Sequence, residues 1–73
     1  MYTVEIDSIE AITAEFDNVT LKAITNNNVN GNFEYEATSN KLESLYNFLL
    51  IYNSGDAEEA LYYINAHVKH EAN

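Results

Sequence analysis

The chain has 73 residues and no cysteine, so it forms a single domain, residues 1–73, that no disulfide can stabilise. Twelve acidic residues against three lysines give a formal net charge of −9, which repels phosphate backbones and anionic membranes and argues against direct nucleic-acid or lipid binding. With 47% hydrophobic residues, the chain is too apolar for a disordered acidic tail and is expected to fold.

The first predicted element is a strand in residues 2–7. Val4 and Ile6 alternate there with Glu5 and Asp7, which is the period of a half-buried strand. This segment also lacks the basic and then apolar layout of a signal peptide, and no apolar run is long enough to span a membrane. We therefore expect a cytoplasmic protein.

A β-hairpin is predicted next. Residues 11–16 and 19–24 alternate in hydrophobicity around a two-residue turn at Asp17 and Asn18. An alternative remains open for residues 8–16, because a capping-box pattern and apolar residues at helical spacing also permit a short helix there. The hairpin register would pair Phe16 with Val19, Ala14 with Leu21, and Ile12 with Ala23.

A further strand is predicted in the stretch "NFEYEATSN", residues 32–40. A two-residue turn at Asn30 and Gly31 would place its aromatic side chains on the wrong face of the sheet. We therefore expect a longer loop, with Gly31 at a positive φ and Ala23 paired with Ala37.

Two helices are predicted in the second half. Asn40 and Glu43 form a capping box before "KLESLYNFLLIY", and Gly55 follows as a C-terminal cap. Asp56 and Glu59 form a second capping box. The fold class is therefore α+β, a three- or four-stranded antiparallel sheet with two C-terminal helices packed on one face. The predicted apolar stripes are Leu42, Leu45, Tyr46, Leu49 and Tyr52 in the first helix, and Ala57, Ala60, Leu61, Ile64 and Val68 in the second.

Acidic residues are predicted to gather on the sheet face that points away from the helices, with Lys22 as the only cation there. Carboxylates a few ångströms apart on neighbouring strands repel one another, so their segregation is not required for solubility alone. Such a grid resembles a phosphate backbone in charge density. The alternative is an ordinary solvated face. The predicted carboxylates are Glu5, Asp7, Glu15, Glu34 and Glu36.

Catalytic and metal sites are not indicated. His67 and His70 have i, i+3 spacing on the predicted last turn of the second helix, but a metal site needs a third or fourth ligand that the sequence does not supply. There is no glycine-rich phosphate loop and no paired nucleophile and base. We expect neither an enzyme nor a cofactor.

Spare aromatic residues suggest a protein interface. Phe48 and Ile51 fall off the predicted stripe of the first helix, and Tyr62 and Tyr63 fall off that of the second. Tyrosine and phenylalanine are enriched in interface cores. Tyr62 and Tyr63 are therefore predicted to anchor a partner, and a homodimer is possible on the same grounds.

By size, acidity, lack of cysteine and order of elements, the chain resembles small phage-encoded inhibitors of the anti-CRISPR and anti-restriction type. That resemblance implies a DNA mimic that binds a basic, nucleic-acid-handling protein of a bacterial host. The competing hypothesis is a homo-oligomeric interaction module or an antitoxin that uses an apolar helix face.

Overall fold

A computed structural model describes residues 1–24 and 32–71. It has an α+β fold with a four-stranded antiparallel sheet and two helices, as the sequence predicted. The elements, in chain order, are β1 (Tyr2–Ser8), β2 (Thr20–Ala23), β3 (Phe33–Ser39), α1 (Leu42–Tyr52), α2 (Ala57–Ala66) and β4 (Lys69–His70).

The sheet has the strand order β2-β3-β1-β4, so β3 and β1 are its central strands. β1 and β3 pair over their whole length, with Val4 opposite Ala37 and Ile6 opposite Tyr35. These four side chains are buried against the helices. The strands predicted in residues 2–7 and 32–40 are confirmed, because a strict period of two marks both of them.

The pairing of β2 with β3 differs from the predicted register by two residues. Leu21, and not Ala23, lies opposite Ala37, and Ala23 lies opposite Tyr35. A shift of two residues keeps every side chain on its expected face, so the hydrophobic pattern could not distinguish the two registers. The predicted positive φ of Gly31 concerns a residue outside the described ranges.

Residues 9–15 form neither the predicted strand nor the alternative helix. One bridge, between Phe16 and Val19, is the only part of the predicted hairpin pairing that the described residues form. The backbone N–H of Ile12 donates instead to the hydroxyl of Tyr35, at 2.9 Å. Ile12 thus makes a tertiary hydrogen bond in place of the predicted hairpin pairing with Ala23.

α1 begins one residue later than the predicted capping box requires. Its N-cap is Lys41, with no side-chain cap, and not Asn40. The Lys41 N–H donates to the hydroxyl of buried Ser39, at 3.1 Å. This hydrogen bond joins the end of β3 to the residue before α1, but it does not cap the first turn of the helix.

The end of α1 is a Schellman motif. The Gly55 N–H donates to the Leu50 carbonyl at 2.7 Å, and the Ser54 N–H donates to the Ile51 carbonyl at 3.0 Å. Ser54 has the left-handed φ of 58° that this motif places after the cap, and Gly55 follows with a φ of 86°. Gly55 therefore belongs to the C-terminal cap, as predicted, but Ser54 occupies its left-handed position.

α2 begins as predicted and ends earlier than predicted. Oδ1 of Asp56 accepts hydrogen bonds from the N–H groups of Glu58 and Glu59, which confirms Asp56 as the N-cap. The helix ends at Ala66, and the next residues turn back to pair with β1. His67 and His70 are therefore not on one helical turn. The prediction that they share the last turn of the second helix was wrong.

The core lies between the inner sheet face and the two helices. Phe48 is only 2% exposed, although the sequence placed it off the stripe of α1. Its ring meets Phe16 edge to face, with centroids 4.8 Å apart. Leu61, assigned to the core stripe of α2, is instead 50% exposed. The buried apolar residues are Val4, Ile6, Tyr35, Ala37, Leu45, Phe48, Leu49 and Ala60.

Candidate functional site

Four carboxylates lie on the outer face of the two central strands. Glu5 is directly opposite Glu36, and Asp7 is directly opposite Glu34. Their strand neighbours point into the core, so these side chains point away from the helices. Opposed residues in an antiparallel pair have Cβ atoms about 4.5–5.5 Å apart. We call these four residues the acidic face.

Glu15 does not belong to the acidic face, contrary to the prediction. It lies in the irregular segment before Phe16 and lines a groove with Ile12 and Leu21 at the side of the sheet. Its expected position depended on a hairpin strand that the described residues do not form. Four of the five predicted carboxylates are therefore brought together, and one is not.

Two lysines border the acidic face, where the sequence predicted one. Lys22 on β2 lies on this face, as predicted, but it is opposite Glu36, whereas the predicted register would have placed it opposite Thr38. Lys69 on β4 pairs with Thr3, whose side chain has the same outward orientation as Glu5. The sequence reasoning missed Lys69 because it placed that residue in a helix. Both lysines lie on the two outer strands, so the centre of the face remains acidic.

The two pairs of carboxylates differ in exposure. Glu5 and Asp7 on β1 are exposed, whereas Glu34 and Glu36 on β3 are half-buried. Ile24, which follows β2, is also half-buried and lines a groove of about 250 Å³ with Asp7 and Glu34. The acidic face is therefore not uniformly polar, because an aliphatic side chain contacts one end of it.

The two predicted tyrosine anchors differ in their surroundings. Tyr62 is 55% exposed, whereas Tyr63 is half-buried and packs against the core. Both rings contact His67, with centroids 5.2 Å and 5.3 Å from it. Of the two, Tyr62 offers the larger accessible surface to a partner.

His67 connects this aromatic cluster to the acidic face. It follows α2 directly and lines a groove of about 320 Å³ together with Glu5 and Glu36. The same imidazole contacts Tyr62 on another side. His67 therefore neighbours both the acidic face and the exposed tyrosine, which the sequence could not indicate because it assigned His67 to a helical turn.

Tyr52 connects the helices to the strand that carries Asp7. Its hydroxyl donates to the Asp7 backbone carbonyl, and its ring lies 5.9 Å from that of Tyr63. Burial, together with the neighbouring Tyr63 hydroxyl, raises the pKa of Tyr52 above its ordinary value of 10.0. This hydrogen bond fixes the end of β1 and therefore the position of Asp7.

The described residues contain neither a cluster of metal ligands nor a helix that could span a membrane. Within residues 1–24 and 32–71, no three His, Asp or Glu side chains are grouped so that they could hold a metal ion. None of the helices in the described part of the chain is long and apolar enough to cross a membrane. What remains is a surface with two opposed carboxylate pairs beside an exposed tyrosine.

No protein-family model, curated protein or solved structure matches this chain.

Proposed function

We propose that the chain is a non-catalytic inhibitor that binds a basic, nucleic-acid-handling protein, such as a bacterial defence nuclease, through the acidic face. The observation that supports this proposal is the direct opposition of Glu5 to Glu36 and of Asp7 to Glu34. Like charges in such pairs are mutually unfavourable. A basic groove would relieve that repulsion by placing lysine or arginine between the carboxylates, as it does between phosphates.

Tyr62 would contribute the apolar part of the contact. It is half-exposed and is connected to the acidic face through His67. Large aromatic side chains supply much of the binding energy in protein interfaces, while charged groups set the association rate and orientation. A target of this kind would place the inhibitor in the cytoplasm of a bacterial host.

The proposal is tested by measuring inhibition of DNA cleavage by a panel of restriction and CRISPR nucleases over a salt series. Inhibition should weaken steeply as salt rises, because displaced counterions contribute to the affinity. The double variant Glu34→Lys/Glu36→Lys should lose inhibition. Glu43→Lys/Glu58→Lys is the matched control, since it changes the net charge equally but alters exposed helix residues. Equal loss in both variants would contradict a role for the acidic face.

A second candidate function is a homo-oligomeric interaction module or antitoxin that uses an apolar helix face. It is favoured by Leu61 and Tyr62, neighbours on α2 that are 50% and 55% exposed. Sedimentation over the same salt series separates the two proposals. A dimer that persists at all salt concentrations and is lost in Leu61→Asp supports the module, whereas a monomer at all concentrations supports the inhibitor.

A further inference from the structure

Within residues 1–24 and 32–71, β2 is an edge strand whose outer side is unpaired over two residues. The Ile24 N–H donates to the Glu34 carbonyl at 2.9 Å, so Ile24, and by alternation Lys22, direct their backbone groups at β3. The backbone groups of Leu21 and Ala23 therefore point to the opposite side. Among the described residues no strand pairs with that side. Two N–H donors and two carbonyl acceptors point to that side.

The Phe16–Val19 bridge confirms this assignment of directions. The Val19 N–H donates to the Phe16 carbonyl at 3.3 Å, away from β3, as the odd-numbered residues of this segment should. A second ladder thus begins on the open side of β2 and stops after one bridge. The chain before Phe16 does not continue it, because the Ile12 N–H is bonded to the Tyr35 hydroxyl.

A groove of about 400 Å³ lies where that ladder would continue. Ile12, Phe16 and Leu21 line it, and all three are half-buried. Glu15 contributes a carboxylate to the groove. The groove therefore lies beside a strand edge that no described strand pairs with, and apolar residues and one acidic residue line it. An open edge with pockets for alternate side chains is what an added strand uses.

We propose that this groove, the β2 groove, binds an extended segment of a basic partner protein, which adds as a strand to the open edge of β2. Main-chain hydrogen bonds to Leu21 and Ala23 would provide the affinity, and apolar side chains at alternate positions would fill the groove. The negative charge of the chain and of Glu15 determines which kind of segment binds. A second copy also carries −9 and is repelled, whereas lysine or arginine in the segment is attracted to Glu15 and to the net charge.

This inference does not depend on the acidic face. Lys22 and Glu36 point to the outer side of the sheet, whereas the β2 groove is formed by backbone edges and by the residues that precede Val19. A partner could use the strand edge even if the acidic face only keeps the chain soluble. Charge reversal on β3 and changes at the β2 edge therefore test different proposals.

The first test is amide hydrogen exchange followed by NMR, with and without the capped peptide Val-Lys-Val-Lys-Val as the probe. In the free protein, the amides of Leu21 and Ala23 should exchange at least about tenfold faster than that of Lys22, which is bonded to β3. Saturating peptide should slow Leu21 and Ala23 and leave Lys22 unchanged. Protection of Leu21 and Ala23 in the free protein would mean that residues 11–15 already occupy the edge, and would overturn the proposal.

Variants test the two contributions to binding separately. Ala23→Pro removes an outward N–H without removing a β3 hydrogen bond, and should weaken peptide binding at least about fivefold. Glu15→Lys should weaken it by a similar factor. Glu71→Lys, beyond the opposite edge of the sheet, is the control of equal charge change and should bind more tightly than Glu15→Lys.

Chemical changes to the peptide test the proposal on the wild-type protein, so no protein variant has to fold. N-methylation of alternate residues removes the donors on one edge of the peptide only. Methylation of one alternate set, either the lysines or the valines, should abolish binding, and methylation of the other set should retain it. Retained binding with both sets, equal binding of Val-Glu-Val-Glu-Val, or absence of any peptide binding would overturn the proposal. So would a salt-insensitive dimer lost in Ala23→Pro, since the occupant would then be a second copy.

Discussion

Glu5 lies directly opposite Glu36 at the centre of the sheet, and Lys22 lies on the far side of Glu36. Glu36 therefore has an opposed lysine on one neighbouring strand, whereas Glu5 has a carboxylate opposite it. Lys69 is opposite Thr3 and only diagonal to Glu5, so the charge of Glu5 should destabilise the fold more than that of Glu36. This asymmetry follows from the strand order, because β3 lies between β2 and β1.

We predict that Glu5→Gln raises the free energy of unfolding by about 0.2–1 kcal/mol at low salt, since it removes one partner of an opposed like-charge pair. The gain should shrink in about 0.5 M NaCl, where surface charges are screened. Urea denaturation measures both values. Glu10→Gln is the control, because Glu10 is exposed and outside the sheet. If Glu5→Gln is less stable than the wild type while Glu10→Gln is not, the Glu5–Glu36 pair is not repulsive.

Phe48 should be among the most sensitive positions in the core. Phe48→Ala is expected to lower the free energy of unfolding by about 3–5 kcal/mol, because it removes a buried ring and its edge contact with Phe16. In a domain this small, such a loss can unfold the chain. Ile51→Ala on the same helix should change stability by less than about 0.5 kcal/mol, since Ile51 is 64% exposed. Thermal unfolding of both variants and of Phe48→Leu tests this difference.

The two helix starts should respond differently to loss of their polar residue. Asp56→Ala should cost about 1 kcal/mol, because its carboxylate accepts the N–H groups of Glu58 and Glu59. Asn40→Ala should cost no more than a few tenths of a kcal/mol, because Lys41 is the N-cap of α1 and no side chain caps that helix. Equal losses in chemical denaturation would contradict the cap assignment.

Tyr52 should make the fold less stable at alkaline pH. Burial and the neighbouring Tyr63 raise its folded pKa above 10.0, so the folded state holds the phenolic proton more tightly than the unfolded state. Its contribution is fully present below pH 10.0 and is lost as the pH rises through the folded pKa.

Unfolding measured between about pH 9 and pH 11 should therefore show a steeper loss of stability in the wild type than in Tyr52→Phe. Tyr62→Phe serves as the control, because Tyr62 is more exposed, and it should keep the wild-type slope. An unchanged slope in Tyr52→Phe would mean that the ionisation of Tyr52 is not linked to folding. Comparing the variants with the wild type over the same pH series removes the contribution of every group that they share.

Local pattern was sufficient for the elements that carry a strong periodic signal. The alternation in β1 and β3 placed Glu5, Asp7, Glu34 and Glu36 on one face, since side chains on a strand must alternate. Asp56 was recognised as a cap because its acceptor serves N–H groups only two and three residues away. The partner-binding roles of these residues stay predictions.

Long-range contacts decided where that reasoning failed. The Ile12 N–H donates to the Tyr35 hydroxyl, 23 residues away, and the predicted hairpin pairs only at Phe16 and Val19. Glu15 therefore lies outside the sheet. His70 stacked on Tyr2 across the pairing of β4 with β1, with ring centroids 4.5 Å apart. Both contacts join residues that are too far apart in the sequence for a periodic pattern to indicate them.

The sequence by itself determined the α+β class and the excess of negative charge, because these depend on composition and on spacings of two to four residues. The tertiary structure alone decided the register of β2, the second lysine beside the acidic face and the open edge of β2. Register and edges depend on which of several equivalent pairings buries the most surface and satisfies the most backbone groups, and only the folded chain brings those alternatives into competition.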